Sequence, residues 1–372
     1  MAARNPHLDL CRGIAALAVA IGHARAFFFV DFALVSGAGV VAKAFYFLTG
    51  LGHQAVVVFF VLSGYFVGGA VAKASAQGRW SWRHYGLNRM SRLWVVLVPA
   101  LVLTLVWDGL GRTLGGGTGY DGGFTNLIHM GQPAIADIGP IAFLKNLCFL
   151  MTIAGPVYGS NAPLWSLAYE FWYYLMFPLA FLALGRGPLG VRLGYFVLFG
   201  ACVALLPGIL VAMGSIWLMG YGAYELGRRP AGALLRHSAF FALALAAFVA
   251  VLALVRRGSL AGGDYWLGLS FACAVPFLSQ DSQVPRWYRF VAEKLSNLSY
   301  TLYLVHFPVL AFCFYLWRLP RLSQPTPLNS LIFAALCALL LGYATLVWWC
   351  FERRTDQVKA WAARRLAFAF GS

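Results

Sequence analysis

A histidine inside a long apolar run is costly unless it meets a partner or a water-lined cavity, and the first apolar run of this chain carries one. The run opens Asp9-Leu10-Cys11-Arg12-Gly13 and reaches His23 through small and aliphatic residues. Arg12 and His23 are eleven positions apart, so on a helix they lie about 20° apart around the axis and about 16 Å apart along it. A buried imidazole is what a general base requires near neutral pH, and a guanidinium suits anions such as phosphates. Each also has a plainer reading: Arg12 reaching toward headgroups along its stem, and His23 hydrogen-bonded to a neighbouring helix.

Three further groups share this character. Asn161 through Trp165 and Ser166 leads to Glu170, and Ser166 and Glu170, one turn apart, share a helix face. A carboxylate about 9 Å inside a span must be paired, hydrated or protonated. The expected partners are His23 or a substrate hydroxyl; a purely structural bond to another helix is the alternative. In Ser299-Tyr300 through Pro308, Tyr303 and His306 are neighbours on the helix surface. His306 either takes part in chemistry or only satisfies backbone groups freed by Pro308. Ser63-Gly64-Tyr65 ends an apolar stretch. Its glycine permits close helix approach, and Ser63 is a nucleophile type with no base beside it in sequence. Arg89 and Arg92 share a face in a geometry suited to phosphates, although topology alone also places basic residues there. His53 stands where it could reach an outer cavity; Asp108 and Asn297 are weaker candidates.

These side chains must be held by elements that cross a bilayer. Hydrophobic residues make up 61% of the 372 positions and charged residues 11%, against roughly 45–50% and about 25% in soluble domains. Apolar runs of about 20 residues are long enough to span. They fall near 10–30, 51–72, 93–111, 164–185, 190–208, 209–226, 239–255, 265–280, 298–317 and 330–351, the fifth and sixth divided by Pro207 and Gly208. The expected fold is therefore all-α: a polytopic bundle of about ten transmembrane helices in the cell (inner or plasma) membrane. With an inside N-terminus, 20 of the 28 Lys and Arg residues fall on the inner segments, which places both termini in the cytoplasm by the positive-inside rule.

The same rule accounts for the net charge of +16 through anionic lipid rather than nucleic acid. Residues 12–26 mimic a cleavable leader, but with His23 and Arg25 inside them they read as part of the first mature helix. The seven cysteines include no Cys-x-x-Cys pair and read as small buried side chains, with no zinc or disulfide framework expected. Between 112 and 162 lies an outer loop containing Gly115-Gly116-Gly117, Gly122-Gly123 and an apolar piece, Ile138–Ile153, expected to lie on or dip into the membrane. Residues 1–355 read as one membrane domain, and 356–372 as a basic amphipathic tail at the inner surface.

Taken in order, these elements resemble the acyltransferase 3 family of membrane proteins, which acylate surface polysaccharides, lipopolysaccharide sugars and related acceptors. The resemblance rests on Arg12-x10-His23, on Phe59-Phe60-Val61-Leu62-Ser63-Gly64-Tyr65 and on Arg89-x-x-Arg92-Leu93. It continues through Trp165-Ser166-Leu167 with Glu170, Ser299-Tyr300 through Tyr303, His306 and Pro308, and Phe351-Glu352-Arg353. It departs at Pro99, later than the family's usual proline, and at Phe171-Trp172-Tyr173-Tyr174. The resemblance implies a ten-helix core, acyl-CoA (acetyl-CoA first) as cytoplasmic donor, and a carbohydrate acceptor reached from the opposite face. It assigns Arg12 and His23 to an essential first-helix pair; Glu170, from its place inside the fourth span, is the third expected catalytic residue. Arg89 and Arg92 would handle the donor, with Ser63, Tyr65, Trp165, Ser166, Tyr303, His306 and His53 as substrate or supporting residues. Metal assistance has no support, the lipid bilayer is the partner, and a homo-oligomer is compatible with all of this. A polytopic transporter or flippase of a glycan or lipid intermediate is the alternative, since buried Glu, His and Arg also mark transport paths. The absence of an internal repeat and the cytoplasmic arginine pair stand against it.

Overall fold

A computed structural model describes residues 5–115, 137–317 and 321–370. The glycine runs of the outer loop lie mostly outside the described residues. Everything regular that is described is helical, apart from isolated bridges at Phe29–Leu322 and Met151–Gly155. In chain order the α-helices are α1 (Pro6–Phe28), α2 (Val40–Leu48), α3 (Gly52–Ser63), α4 (Gly69–Ala76) and α5 (Trp82–Gly115). They continue as α6 (Pro140–Leu147), α7 (Leu164–Leu184), α8 (Leu189–Leu205), α9 (Gly208–Arg228) and α10 (Ser238–Arg256). The last four are α11 (Gly263–Leu278), α12 (Arg286–Trp317), α13 (Pro327–Cys350) and α14 (Thr355–Phe370). A π-helical turn, Gly64–Gly68, joins α3 to α4.

Eight of these segments are long and apolar enough to cross a membrane, and they fall on eight of the ten expected spans. The other two expected spans are helices as well, but shorter: α8 has 17 residues and α11 has 16. The break between the fifth and sixth expected spans falls at Leu206 and Pro207, with Pro207 as the N-cap of α9. Proline cannot donate the backbone bond that would continue α8. In α10 only 6% of the apolar window is buried within the protein. A side-chain surface so apolar and so exposed is compatible with hydrocarbon and not with water. This is a multi-pass membrane protein.

The chain forms two compact units: Met1–Ala15 with His53–Trp80 and Ser166–Ser296, and Ala16–Gly52 with Ser81–Trp165 and Asn297–Ser372. In the first, α9 packs on the π turn and on α11, and α11 also packs on α10. The approach of α3 to α9 depends on glycine. A Cβ on Gly64 would stand 1.8 Å from the Trp217 carbonyl oxygen, and one on Gly220 1.9 Å from that of Val61. Gly64 thus does what its place in Ser63-Gly64-Tyr65 suggests: it lets two backbones touch.

In the second unit α14 lies along α5, and the two enclose a groove of about 860 Å³. Its α14 side is Val358, Trp361, Ala362 and Arg365, a single helical stripe. The tail is therefore a helix whose apolar stripe meets α5. The apolar piece after Ile138 becomes the short helix α6 and a turn. In that turn Asp108 clamps the chain: its carboxylate accepts from the Ser160 backbone N–H at 2.7 Å and from Ser160 Oγ at 2.6 Å. Beside it Gly159 has φ +54°, and a Cβ there would meet the Asp108 carboxylate at 2.2 Å. Asp108 is thus a loop anchor. Of the seven cysteines, all free thiols, Cys148 is exposed and the other six are half-buried within the protein.

Overpacking a crossing this close costs about 1–3 kcal/mol or more. Gly220→Ala is expected to lower the melting temperature of the detergent-purified protein or abolish its recovery. Gly222→Ala, where nothing lies within 4 Å of the added Cβ, should leave both unchanged.

Candidate active site

The candidate residues form two clusters, one in each unit. In the second unit the decisive pair is His23 of α1 and His306 of α12. His23 Nδ1 lies 2.8 Å from His306 Nε2. The ring planes are within 13° of parallel and the centroids 5.1 Å apart. That separation is close to the N···N distance plus the two ring radii, so the rings meet edge to edge, as an N–H···N bond requires. His306 Nδ1 lies 2.9 Å from the Leu302 carbonyl oxygen. A carbonyl only accepts, so Nδ1 of His306 carries the hydrogen and, in the neutral ring, its Nε2 is the acceptor. His23 then donates from Nδ1, and its Nε2 is left with an unprotonated lone pair. The tautomers follow from the donor and acceptor chemistry of these three groups.

Helix geometry brings the pair about. Gly22, beside His23, faces the Thr49 carbonyl oxygen, which a Cβ would meet at 3.1 Å. Phe307 packs edge-on against His23 with centroids 5.1 Å apart, and Tyr303 lies 6.1 Å from His306 between centroids. His306 is fully buried, and Tyr303 nearly so. Of the two readings of His306, the one in which it only satisfies backbone freed by Pro308 does not hold. Pro308 lacks the N–H that would reach Leu304, and the Leu304 carbonyl instead accepts from Asn161 Nδ2 at 2.9 Å. Asn161 also donates to Thr104 Oγ1 at 3.1 Å. His306 is thereby left for His23.

The first unit holds the carboxylate. Glu170 Oε1 accepts from Ser63 Oγ at 2.9 Å and also from the Tyr174 hydroxyl. Trp217 Nε1 donates to Ser63 Oγ at 3.0 Å. Of the partners the sequence allowed (His23, a substrate hydroxyl or a bond to a neighbouring helix), Glu170 takes a hydroxyl from α3 and one from its own helix. Ser63 has a base beside it after all, supplied by α7 from 107 residues away in sequence. The Trp217 indole is 1% exposed and went unnoticed in sequence, because a tryptophan in an apolar helix announces nothing. Tyr174 was legible, one turn after Glu170. Ser166 is buried, Trp165 is half-buried and Tyr65 sits in the π turn with its ring 5.5 Å from that of Tyr224.

Arg12 belongs to the first unit's end of α1. Its Nη1 donates to Ser296 Oγ at 3.3 Å and lies 3.6 Å from Asp9 Oδ1, while Ser296 Oγ donates to the same carboxylate oxygen at 2.8 Å. The guanidinium carbon stands 4.8 Å from the centre of the Phe66 ring, which fits a cation–π contact. Arg12 is therefore placed by Asp9 and Phe66 and not extended freely along its stem. His53 Nε2 lies 2.8 Å from Asp264 Oδ2 in a partly exposed hydrogen-bonded pair. On α5, Arg89 is half-buried with its guanidinium 5.6 Å from the Tyr85 ring centre, and Arg92 is exposed. The two share a face of α5 turned away from the groove against α14, which is lined from Leu87, Met90, Ser91, Trp94 and Val98. Glu352, in the last of the sequence elements, accepts from the Thr301 backbone N–H at 3.2 Å and from its hydroxyl. Among the described residues no group of three or more His, Cys, Asp or Glu is arranged to hold a metal ion.

The chain matches the family described as "acyltransferase domain" over residues 5–349. That match takes in α1 through almost all of α13, and the protein belongs to this acyltransferase family. No curated protein and no solved structure matches it.

The Asn161 bond to Leu304 can be tested without any substrate. Asn161→Leu strands a buried carbonyl and should destabilise by about 1–3 kcal/mol. Adding Pro308→Ala restores a backbone donor to Leu304, so the double variant should melt higher than Asn161→Leu alone. Equal melting temperatures would show that the carbonyl is not what Asn161 serves.

Proposed function

We propose that this protein transfers an acyl group, acetyl in the first instance, from cytoplasmic acyl-CoA to a hydroxyl of a carbohydrate such as an exopolysaccharide or lipopolysaccharide sugar. The observation that carries this reading is the His23–His306 pair. A neutral imidazole whose Nδ1–H is fixed by an acceptor presents Nε2 as the basic atom, the orientation a general base needs to take a proton from a hydroxyl. When Nε2 takes that proton, the positive charge is shared toward the lone pair of His306. His306 acts through His23 and is a positioning residue. Membership of an acyltransferase family supplies the reaction class.

The remaining roles are assigned by the chemistry of each side chain. Arg89 and Arg92, one face of a basic segment, hold the donor's phosphates. Arg12, fixed by Asp9, aligns the thioester or pantetheine arm. Glu170 orients the acceptor or the acyl group through its hydroxyl network. The proposed topology is ten spans with both termini in the cytoplasm, α8 and α11 being spans shortened to 17 and 16 residues.

Purified protein in lipid discs should bind radiolabelled acetyl-CoA and, given membranes carrying the acceptor glycan, move label onto it. A glycan transporter would do neither. His23→Ala should cut the transfer rate 10²–10⁴-fold with normal insertion and unchanged acetyl-CoA binding. His306→Ala should lower kcat with KM for acetyl-CoA unchanged. His306→Gln, whose amide oxygen accepts the same hydrogen bond, should recover part of the loss; a merely structural His306 would show no such recovery at matched stability.

A further inference from the structure

We infer that Ser63 is the nucleophile that carries the acyl group as a covalent ester between donor and acceptor, with Glu170 as the base that loads it. This rests on the acyl-CoA reading above and adds a covalent step to it.

The hydrogen-bond inventory around Ser63 Oγ is what distinguishes it from an ordinary serine. A hydroxyl has one hydrogen to give and two lone pairs. The hydrogen goes to Glu170 Oε1 at 2.9 Å. One lone pair is taken by the Trp217 N–H at 3.0 Å. The second lone pair remains for an electrophile. A carboxylate in hydrogen-bond reach of a hydroxyl is the arrangement of an activated nucleophile. An indole N–H on the same oxygen stabilises negative charge as it develops there and as it returns when the ester is cleaved. The ordinary reading, a serine that merely satisfies a membrane-embedded carboxylate, does not require the indole donor. Tyr174 already gives Glu170 Oε1 one hydroxyl partner.

The surroundings add to this. Ser63 is half-buried, while Trp217, which donates to it, is 1% exposed. Gly64 and Gly220 allow the backbone contact that brings Trp217 to Ser63, and no side chain could replace either. The π turn Gly64–Gly68 starts at the next residue. Phe66 in that turn lies against the Arg12 guanidinium.

The chemistry balances as follows. Ser63 Oγ attacks the thioester carbonyl carbon and its proton passes to Glu170. The tetrahedral intermediate collapses with breakage of the carbon–sulfur bond, and CoA leaves as a thiolate that takes a proton from solvent. The acceptor hydroxyl then attacks the Ser63 ester carbonyl, giving its proton to solvent. The ester carbon–oxygen bond to Ser63 breaks, and the Ser63 alkoxide recovers the proton held by Glu170. The net change is thioester plus alcohol to ester plus thiol.

The test uses the full chain in lipid discs with [¹⁴C]acetyl-CoA, without acceptor, followed by acid quench and peptide mapping. Wild type should release CoA in a burst of about one per chain and retain label on the peptide bearing Ser63. Ser63→Ala should lose burst and label together and lose at least about 10²-fold in transfer, while still binding acetyl-CoA. Ser63→Cys, which preserves the contact to Trp217, should take up label as a thioester released by neutral hydroxylamine, unlike the wild-type ester. Glu170→Gln should slow the burst. Label on His23 or any other residue would overturn the proposal, as would undiminished transfer by a folded Ser63→Ala or turnover by wild type with no burst. If wild type neither binds nor cleaves acetyl-CoA, the acyltransferase reading itself fails. If it binds and transfers but Ser63 stays unlabelled, only the covalent step does.

Discussion

Within the hydrocarbon there is no water to satisfy a stranded donor or acceptor, so each polar group must find its partner inside the protein. Around α12 this constraint runs as a chain of obligations. Pro308 removes one backbone donor, and the Leu304 carbonyl it leaves behind is met by Asn161. The Leu302 carbonyl takes the Nδ1 hydrogen of His306, which turns the Nε2 of that ring into an acceptor. His23 answers from α1 at 2.8 Å. At the end of the chain one lone pair is left over, on His23 Nε2. A reactive atom is thereby specified by the bonds made around it.

The first unit solves the same problem with a carboxylate. Glu170 is stabilised by two hydroxyls on one oxygen, Ser63 from α3 and Tyr174 from its own helix. Two glycines let α3 and α9 touch backbone to backbone and bring the Trp217 indole to the same Ser63. Packing and chemistry are here one feature: the residue that makes the helices fit is adjacent to the residue that presents an oxygen. Arg12 is tied down in the same unit by Asp9, Ser296 and Phe66, which fixes a guanidinium that would otherwise follow the headgroups.

Much of this was legible in the residues themselves, for identifiable reasons. Charged and imidazole side chains stand out against apolar runs, so Arg12, His23, Glu170 and His306 could be picked out singly, and Pro207 marks the boundary between α8 and α9 as expected. Ten expected spans all became helices, though two are short and two, α5 and α12, extend well beyond their apolar windows, with Arg83, Arg89 and Arg92 in the added turns of α5 and Arg286, Arg289 and Lys294 in those of α12. What periodicity does not reveal is which singled-out groups meet. His23 and His306 are separated by 283 positions, and nothing local to either announces the other. A bond from Glu170 to a neighbouring helix was among the alternatives, but its partner Ser63 was not identifiable, nor were Trp217 and the role of Asn161, because their importance lies in distant backbone and side-chain atoms. Asp108 looked like a candidate for chemistry by the same test as Glu170 and proved to hold a loop.

The tautomer of His23 is the most direct test of the account. Nitrogen-15 NMR of the histidine-labelled protein in lipid discs, with His23 assigned through His23→Gln, reads which ring nitrogen carries the hydrogen. The account predicts hydrogen on Nδ1 and a bare Nε2, with that preference relaxed when His306 is replaced by alanine. A His23 ring protonated on Nε2 alone, or one indifferent to the removal of His306, would contradict it.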